Sequence, residues 1–361
     1  MSKANTPNIF AYGTSELTQD AFIGWLCAWA DPKYRGLEPE LNSVAISLLD
    51  KFFSLCGKSL PEIKDLKVRT QWQRIDVFIE LNDEFYLIIE DKIYSRNHSN
   101  QLKRYQSLIK EKKEVNDDKI IPIYFKTGDQ CSYNKVREFG FREFLRRDFL
   151  DILKEGLKYG INNDIYKSYY EYLYEREVNV ESYINSDVYE WHPMSPKWIG
   201  LHKVFKNKFQ EGYWEPVNNP SRKFHAFWWN RQKVGNHEIY LQNEGGKFCF
   251  KVTKVPKSEN EVRENVSPSI KRKYLKTVKE VGAEHGFPIT KPARLGTGKW
   301  VTFAILNNEQ YKEKNNWLPE GDDGKLSLDA ILNLMDNMGG ILNKTAELLN
   351  KELNNECSQA N

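Results

Sequence analysis

Two apolar runs joined by a short polar turn constrain the fold more than any other feature of this sequence. The runs cover residues 75–81 and 85–89, are rich in β-branched and aromatic side chains, and flank Asn82-Asp83-Glu84. This pattern predicts a β-hairpin. Asp76 interrupts the first run, and Glu90-Asp91-Lys92 directly continues the second. Because acidic side chains are costly to bury without a cation or a partner, their presence in so apolar a hairpin indicates a functional site.

The elements around the hairpin predict an α/β domain over residues 1–178. Helical periodicity predicts one helix from an N-cap at Thr14 or Ser15 to near Asp31, and further helices over residues 40–55, 100–113, 141–157 and 164–174. Strands are predicted at residues 66–74 and 120–125, in addition to the hairpin. The resulting order, α-α-β-β-β-α-β-α, is typical of a mixed central sheet flanked by helices.

A change in composition near residues 178–196, where Asn, Ser, Pro and aromatic residues cluster, predicts a domain boundary. Residues 190–361 are predicted to form a C-terminal α+β accessory domain that ends in two helices, 328–335 and 340–353, separated at Gly339-Gly340. The aromatic and basic residues of this domain fit two roles: base stacking beside phosphate contacts, or a core beneath a basic surface. A homodimer or a partner protein, held through this domain, is a further expectation.

The bulk composition narrows the class of protein. Hydrophobic residues make up 40% of the chain and aromatic residues 13%, which favours a folded protein over a disordered one. The chain lacks both a signal peptide and an apolar run of roughly 18 residues, which predicts a cytoplasmic protein without a membrane segment. Five cysteines stand singly and six histidines lack ligand spacing, which argues against a zinc site. The net charge of +3 permits nucleic-acid binding without indicating it.

The triplet Glu90-Asp91-Lys92 gains its meaning from its position. Similar triplets occur by chance in a chain with 50 acidic residues, as at Asp31-Pro32-Lys33. In a strand, however, Glu90 and Lys92 project to the same side, and pairing across the hairpin brings Asp76 beside them. Two carboxylates suit Mg²⁺ or Mn²⁺, which acidifies a bound water and polarises a phosphoryl oxygen. A neighbouring lysine can position or deprotonate that water and stabilise charge on phosphorus.

These residues resemble the motif of the PD-(D/E)xK nuclease superfamily, which has the restriction-endonuclease-like fold. Ile75 stands where the motif has proline. Glu16 resembles the acidic residue of the family's first helix, and Gln101 with Tyr105 resembles the Q-x3-Y element of the RecB/lambda-exonuclease-like branch. The resemblance implies catalytic roles for Asp76, Glu90, Lys92, Gln101 and Tyr105. It also implies one or two Mg²⁺ (or Mn²⁺) ions held by Glu16, Asp76, Glu90 and, through a nearby backbone carbonyl, Asp91.

The function that this resemblance implies is phosphodiester hydrolysis, with DNA as the default substrate and a role in bacterial defence or in repair. Two alternatives stay open: a nucleic-acid-binding or protein-interaction module that does not cut, and an RNA-cleaving toxin-like nuclease. Single residues also admit structural roles. Glu16 can complement a helix dipole, Tyr105 fits an apolar stripe, and Asp129 lies in a loop that could approach the site.

Overall fold

The computed structural model describes residues 7–13, 15–96, 100–186, 191–219, 223–256, 258, 261–307, 318–321 and 324–359. The chain divides into two compact units, Met1–Val178 and Asn179–Asn361. Thr14, one of the two predicted N-cap residues, lies outside the described residues. Within the described part of the chain, no helix is both long enough and apolar enough to cross a membrane.

The first unit is built around a five-stranded mixed sheet in the order β1-β2-β3-β4-β5. Strands β1, β2 and β3 are antiparallel, whereas β3, β4 and β5 are parallel. This arrangement confirms the predicted mixed sheet flanked by helices. The elements, in chain order, are α1 (Ser15–Ala28), α2 (Pro39–Leu55), β1 (Leu66–Trp72), β2 (Ile75–Leu81), β3 (Phe85–Lys92), α3 (Gln101–Lys113), β4 (Ile120–Lys126), α4 (Asn134–Glu138), β5 (Arg142–Leu145), α5 (Arg146–Lys158) and α6 (Asp164–Glu181).

The two faces of this sheet carry separate cores. Val77, Ile79, Leu87 and Ile89 point to the face that α1, α2, α5 and α6 cover. Phe78 and its neighbours of the same parity point to the other face, against α3. Strand alternation produces both faces from the same continuous apolar runs. Since each face is buried, the hairpin register is well specified, and a one-residue slip would exchange the two cores.

The hairpin turn has the backbone that its residues favour. Asn82 and Asp83 have φ values of 58° and 50°, the left-handed region that Asn and Asp tolerate best among non-glycine residues. Asn82 Oδ1 accepts hydrogen bonds from the N–H groups of Lys64, at 2.8 Å, and Asp65, at 3.1 Å. The predicted β-hairpin is therefore confirmed.

The helix predicted over residues 141–157 is wrong at its start. Residues 142–145 form β5, which pairs parallel with β4, and α5 begins only at Arg146. Asp148 Oδ2 accepts a hydrogen bond from the N–H of Leu145 at 3.0 Å and so fixes this start. The short pairing of β5 is a long-range contact that helical spacing in the sequence does not report. Helix α6 also extends beyond the predicted residue 174.

The second unit is α+β, with a six-stranded antiparallel sheet in the order β10-β11-β9-β8-β7-β6. Phe227, Trp229 and Trp198 are buried in its core, which favours the core role for these aromatic residues. Its elements are α7 (Pro196–Lys208), β6 (Tyr213–Asn218), β7 (Lys223–Val234), β8 (His237–Glu244), β9 (Lys247–Lys254), α8 (Pro268–Glu284), β10 (Ile289–Thr290), β11 (Trp300–Leu306) and α9 (Leu328–Gln359).

The predicted pair of C-terminal helices is a single helix, α9. Gly339 and Gly340 lie inside it. Asn230 Nδ2 donates a hydrogen bond to Gly339 O at 3.0 Å, and a Cβ at Gly339 would lie 3.1 Å from the same nitrogen. Glycine is therefore used here for the close approach of β7 to the helix, and tertiary packing offsets its low helix propensity.

Candidate active site

The end of the hairpin away from its turn brings Asp76 to the last residues of β3. Val77 pairs with Ile89 across the two strands, so Asp76 follows at the level of Glu90. Asp76 Oδ2 accepts hydrogen bonds from the backbone N–H of Asp91 at 2.8 Å and from Lys92 Nζ at 3.3 Å. Asp76, Glu90 and Lys92, which are far apart in an extended chain, therefore meet where β2 begins and β3 ends.

The ammonium of Lys92 lies at the centre of this cluster. Its Nζ is 2.5 Å from Glu90 Oε1, 2.7 Å from the carbonyl oxygen of Asp91 and 3.3 Å from Asp76 Oδ2. Burial lowers the pKa of Lys92, but the charges of Glu90 and Asp76 outweigh it and raise this pKa above its ordinary value. Two carboxylates and one backbone carbonyl thus converge on a single cation.

Gln101 and Tyr105, on the first turns of α3, hold Glu90 in place. Gln101 Nε2 donates to Glu90 Oε1 at 2.7 Å and to the Tyr105 hydroxyl at 2.8 Å. The Tyr105 hydroxyl in turn donates to the carbonyl oxygen of Arg74, just before β2. Helical spacing of four residues places both side chains on one face. The chain of hydrogen bonds links α3 to β3 and to the residue just before β2.

One carboxylate oxygen of Glu90 has no hydrogen-bond partner among the described residues. The Glu90 side chain is fully buried, and this oxygen is Oε2. Burial and the nearby charge of Asp76 raise the pKa of Glu90 to about 8, although Lys92 acts in the opposite direction. A buried carboxyl with a free oxygen is costly unless a cation compensates it.

The opposite face of β3 carries a second acidic pair, Asp20 and Asp91. Asp91 points to this face because it alternates with Glu90 and Lys92. Asp20, from α1, accepts a hydrogen bond from Gln71 Nε2 at 2.8 Å. Burial and the charge of Asp76 raise the pKa of Asp20 to about 7, and burial with the charge of Asp20 raises that of Asp91 well above its ordinary value.

Gln19 connects Asp91 of this second pair to the residue after β4 and to α6 through hydrogen bonds. Its Nε2 donates to Asp91 Oδ1, and its Oε1 accepts from Thr127 Oγ1 at 2.6 Å and from the Tyr169 hydroxyl at 2.9 Å. Gln19 and Asp20 are both buried. The sequence predictions missed both residues. The available signal is their helical spacing from Phe22, Ile23 and neighbouring core residues, which places two polar side chains on the apolar stripe of α1.

Glu16 lies one helical turn before Asp20 and has a different set of partners. Its Oε1 accepts hydrogen bonds from the N–H of Ile93 at 3.1 Å and from Ser95 Oγ at 2.8 Å. These bonds outweigh the effect of burial and lower the pKa of Glu16. Its hydrogen-bond partners among the described residues are thus in the segment after β3, and its charge also acts on Lys92 and Lys126.

Lys126 is a second buried lysine beside the cluster, and the sequence predictions also missed it. It pairs with Lys92 in the parallel register of β3 and β4. Its Nζ donates to the carbonyl oxygens of Ile93 at 2.8 Å and Ser95 at 2.6 Å. Burial lowers the pKa of Lys126 to about 8, although nearby carboxylates such as Glu16 offset part of this effect.

Asp129 forms an ion pair with the buried Arg146, and its charge also acts on Lys126. Arg146 NH1 lies 2.8 Å from Asp129 Oδ2, and Arg146 Nε lies 2.7 Å from Glu177 Oε2. The same guanidinium donates to the carbonyl oxygen of Thr127 at 2.6 Å. This network fixes the segment after β4.

The donor set at the cluster matches the chemistry of a hard divalent cation. Among the described residues, no three His, Cys, Asp or Glu side chains are arranged to hold a metal ion by themselves. The oxygens around Lys92 Nζ nevertheless include Asp76, Glu90 and the Asp91 carbonyl, and Mg²⁺ typically uses one or two carboxylates with waters and phosphates. The unpartnered Glu90 Oε2 adds a free oxygen. These residues fit such an ion.

A comparison with protein families relates the chain to known proteins. Residues 16–195 match a family model described as the PD-(D/E)XK nuclease superfamily, a range that includes every residue of the cluster. The match is to the superfamily and does not separate its RecB-like branch from others. The searches of curated proteins and of solved structures returned no significant match.

Proposed function

The chain belongs, through residues 16–195, to the PD-(D/E)XK nuclease superfamily, and from this premise we propose that it is a Mg²⁺-dependent nuclease that cleaves DNA. The observation that carries the proposal is the convergence of Asp76, Glu90 and the Asp91 carbonyl on one cation, the Lys92 ammonium. An oxygen set that binds an ammonium this closely has the charge and the donors for Mg²⁺ or Mn²⁺.

Asp76, Glu90 and the Asp91 carbonyl would hold the metal. When bound, it would polarise a phosphoryl oxygen and lower the pKa of a bound water. Gln101 anchors Glu90 Oε1 and leaves Oε2 available. Tyr105 supports Gln101 and thereby the direction of the carboxylate. Asp20, whose pKa is raised to about 7, adds negative potential from the opposite face of β3 when it ionises, which favours cation binding at the same end of this strand.

Lys92 acts as a hydrogen-bond donor to the attacked phosphate. Its raised pKa keeps it protonated near neutral pH, so donation is favoured over removal of a proton from water. A protonated amine beside the phosphorus stabilises the charge that develops in the transition state. Glu16 keeps the segment after Lys92 in place through Ile93 and Ser95.

A nicking assay tests the proposal. Supercoiled plasmid, linear duplex and single-stranded RNA are incubated with the full chain in Mg²⁺, in Mn²⁺ and in EDTA. We expect metal-dependent cleavage of DNA that Lys92→Ala lowers by at least about a hundredfold. Lys112→Ala, an exposed lysine on α3, is the matched control. Absence of cleavage in both metals, or equal cleavage by Lys92→Ala, would refute the proposed nuclease activity. Faster cleavage of RNA than of DNA would show that RNA is the substrate.

We propose a role in defence against foreign DNA, and its basis is the kind of protein that uses this fold. In bacteria that express the chain, we expect fewer plaques from infecting phage with the wild type than with Lys92→Ala. Equal plaque numbers combined with higher survival of DNA damage by the wild type would favour repair.

A further inference from the structure

A cavity of about 600 Å³ lies in the first unit where β5 begins too late to cover β4. The parallel pairing starts at Ile123 and Arg142, so Ile120 and Pro122 precede it on an open strand edge. These two residues and Phe139 give the cavity an apolar lining. Pro122 has no N–H to offer at this edge, which blocks pairing with another strand.

The rest of the lining is mainly basic. Lys58, Lys103, Lys110 and Arg142 line the cavity, against the acidic residues Asp117 and Glu138. Lys110 lies 2.6 Å from Asp117, so this pair neutralises itself. Lys103 and Arg142 are exposed and form no ion pair within the described part of the chain. The cavity therefore presents free cationic donors above an apolar floor.

Its position relates the cavity to the catalytic cluster. Glu90 pairs with Tyr124, two residues beyond Pro122 and four beyond Ile120, so the cavity floor extends from about 7 to about 13 Å along β4 from the level of Glu90. Lys103, Gln106, Ser107 and Lys110 have the spacing of one helical stripe along α3, and all four line the cavity. The stripe starts two residues after Gln101, near the cluster, and runs away from it.

We propose that this cavity binds backbone phosphates of the nucleic-acid substrate, several nucleotides away from the cleaved bond. Arg142 supplies a planar fork of donors, and Lys103 a mobile ammonium, both suited to phosphate. The apolar floor accommodates the sugar or base beside it. The volume lies within the usual range for a ligand of nucleotide size. The inference rests on the proposed function, because it takes nucleic acid as the substrate.

The salt dependence of binding tests the cavity without cleavage. A labelled duplex is titrated with the full chain in EDTA at several salt concentrations, for the wild type, for Lys103→Ala/Arg142→Ala, and for the control Lys112→Ala/Arg35→Ala. The control removes the same charge from exposed positions outside the cavity. Loss of two phosphate contacts should reduce the slope of log K against log salt by about 1.8 on duplex DNA. The control should change it by less than half of that.

Equal slopes for the cavity variant and the control would overturn the proposal. Binding of free ATP by the wild type, lost in the cavity variant while its duplex slope stays normal, would overturn it in favour of a small nucleotide ligand. If the wild type cleaves DNA and the cavity variant keeps the salt slope of the wild type, the nuclease proposal stands and only the cavity proposal fails. Conversely, a changed slope in a chain that cleaves nothing supports the cavity and refutes the nuclease. Thermal melting of each variant verifies that these surface changes leave folding intact.

Discussion

Asp76 Oδ2 accepts the backbone N–H of Asp91 over 2.8 Å, so a side chain of β2 is bound directly to the backbone of the E-D-K triplet on β3. The same oxygen receives Lys92 Nζ at 3.3 Å. The acid across the hairpin is thereby held in register with the triplet. Its position depends on strand pairing, and strand pairing depends on the two buried faces of the sheet.

Asp76→Asn should separate the charge of this residue from its hydrogen bond. The amide oxygen can still accept the Asp91 N–H, so the hairpin stays intact. Metal-dependent cleavage should fall by at least about a hundredfold, because one of two anionic oxygen ligands is lost. Single-turnover cleavage at saturating Mg²⁺ measures the loss. Asp50→Asn, on the exposed face of α2, serves as the control, and cleavage by Asp76→Asn at the level of this control would contradict the prediction.

Asp20→Asn should stabilise the metal-free protein and weaken it as an enzyme. At pH 8 the Asp20 carboxyl, whose pKa is raised to about 7, carries a buried charge close to Asp91 and Asp76. A neutral amide removes that repulsion, so the urea midpoint in EDTA should rise. Cleavage at limiting Mg²⁺ should fall by about tenfold, as is common for residues that support metal ligands. A lower urea midpoint would count against the electrostatic account.

The hairpin could be predicted from the sequence because its signals are local, whereas the second acidic pair could not. Two continuous apolar runs, a polar turn and an acid inside one of the runs all lie within residues 75–92. Asp20 reaches Asp91 only because α1 packs across the sheet, a contact between residues 71 positions apart. The resemblance directed attention to Glu16, one turn earlier on the same helix, whose carboxylate accepts hydrogen bonds from the segment after β3.

The same distinction explains the errors in the secondary structure. Gly339-Gly340 indicates a helix break on local propensity, yet the packing of Asn230 against Gly339 is a tertiary contact that keeps α9 continuous. The sequence predicted a helix over the four residues of β5, because these residues form a strand only through their pairing with β4. Long-range pairing therefore overrides a weak local preference.

The metal-free protein should lose stability as the pH rises from 6.5 to 8. Folded Glu90 keeps its proton up to about pH 8, whereas the ordinary value for the unfolded chain is 4.5. In between, the folded state binds more protons, so stability falls with rising pH. Buried His202, whose pKa is lowered by burial from 6.5, acts in the opposite direction only below that pH. Urea unfolding in EDTA at several pH values gives the free energy of unfolding as a function of pH. This free energy should fall less steeply with pH for Glu90→Gln than for the wild type. An equal pH dependence would refute the assignment to Glu90.

Arg146→Met should destabilise the first unit by about 3–5 kcal/mol, because it removes the buried cation that half-buried Asp129 and Glu177 share. Arg147, which contacts Glu177 from an exposed position, provides the control. Arg147→Met should cost about 1 kcal/mol or less. The free energy of unfolding in urea is compared between the two variants. Equal losses would contradict the prediction that the buried pairs contribute more than the exposed one.

Tyr105→Phe tests whether the hydrogen-bond chain from Arg74 to Glu90 serves catalysis. The change removes the hydroxyl that accepts from Gln101 at 2.8 Å and donates to the Arg74 carbonyl oxygen. The Arg74 carbonyl oxygen loses this donor, and Gln101 Nε2 keeps Glu90 Oε1 as its acceptor, so the change should cost about 1 kcal/mol of stability. With Gln101 released, the Glu90 carboxylate loses part of its orientation, and cleavage should fall by about tenfold.

Tyr86→Phe is the matched control for this change. Tyr86 lies on the same face of the sheet, and its hydroxyl donates to Asp83 O at 3.1 Å near the turn of the hairpin. It should lose about 1 kcal/mol of stability and no activity. The informative quantity is the Mg²⁺ concentration at half-maximal cleavage, which should rise for Tyr105→Phe alone. If both variants lose activity only in proportion to their stability, Tyr105 is a core residue and the chain to Glu90 has no part in catalysis.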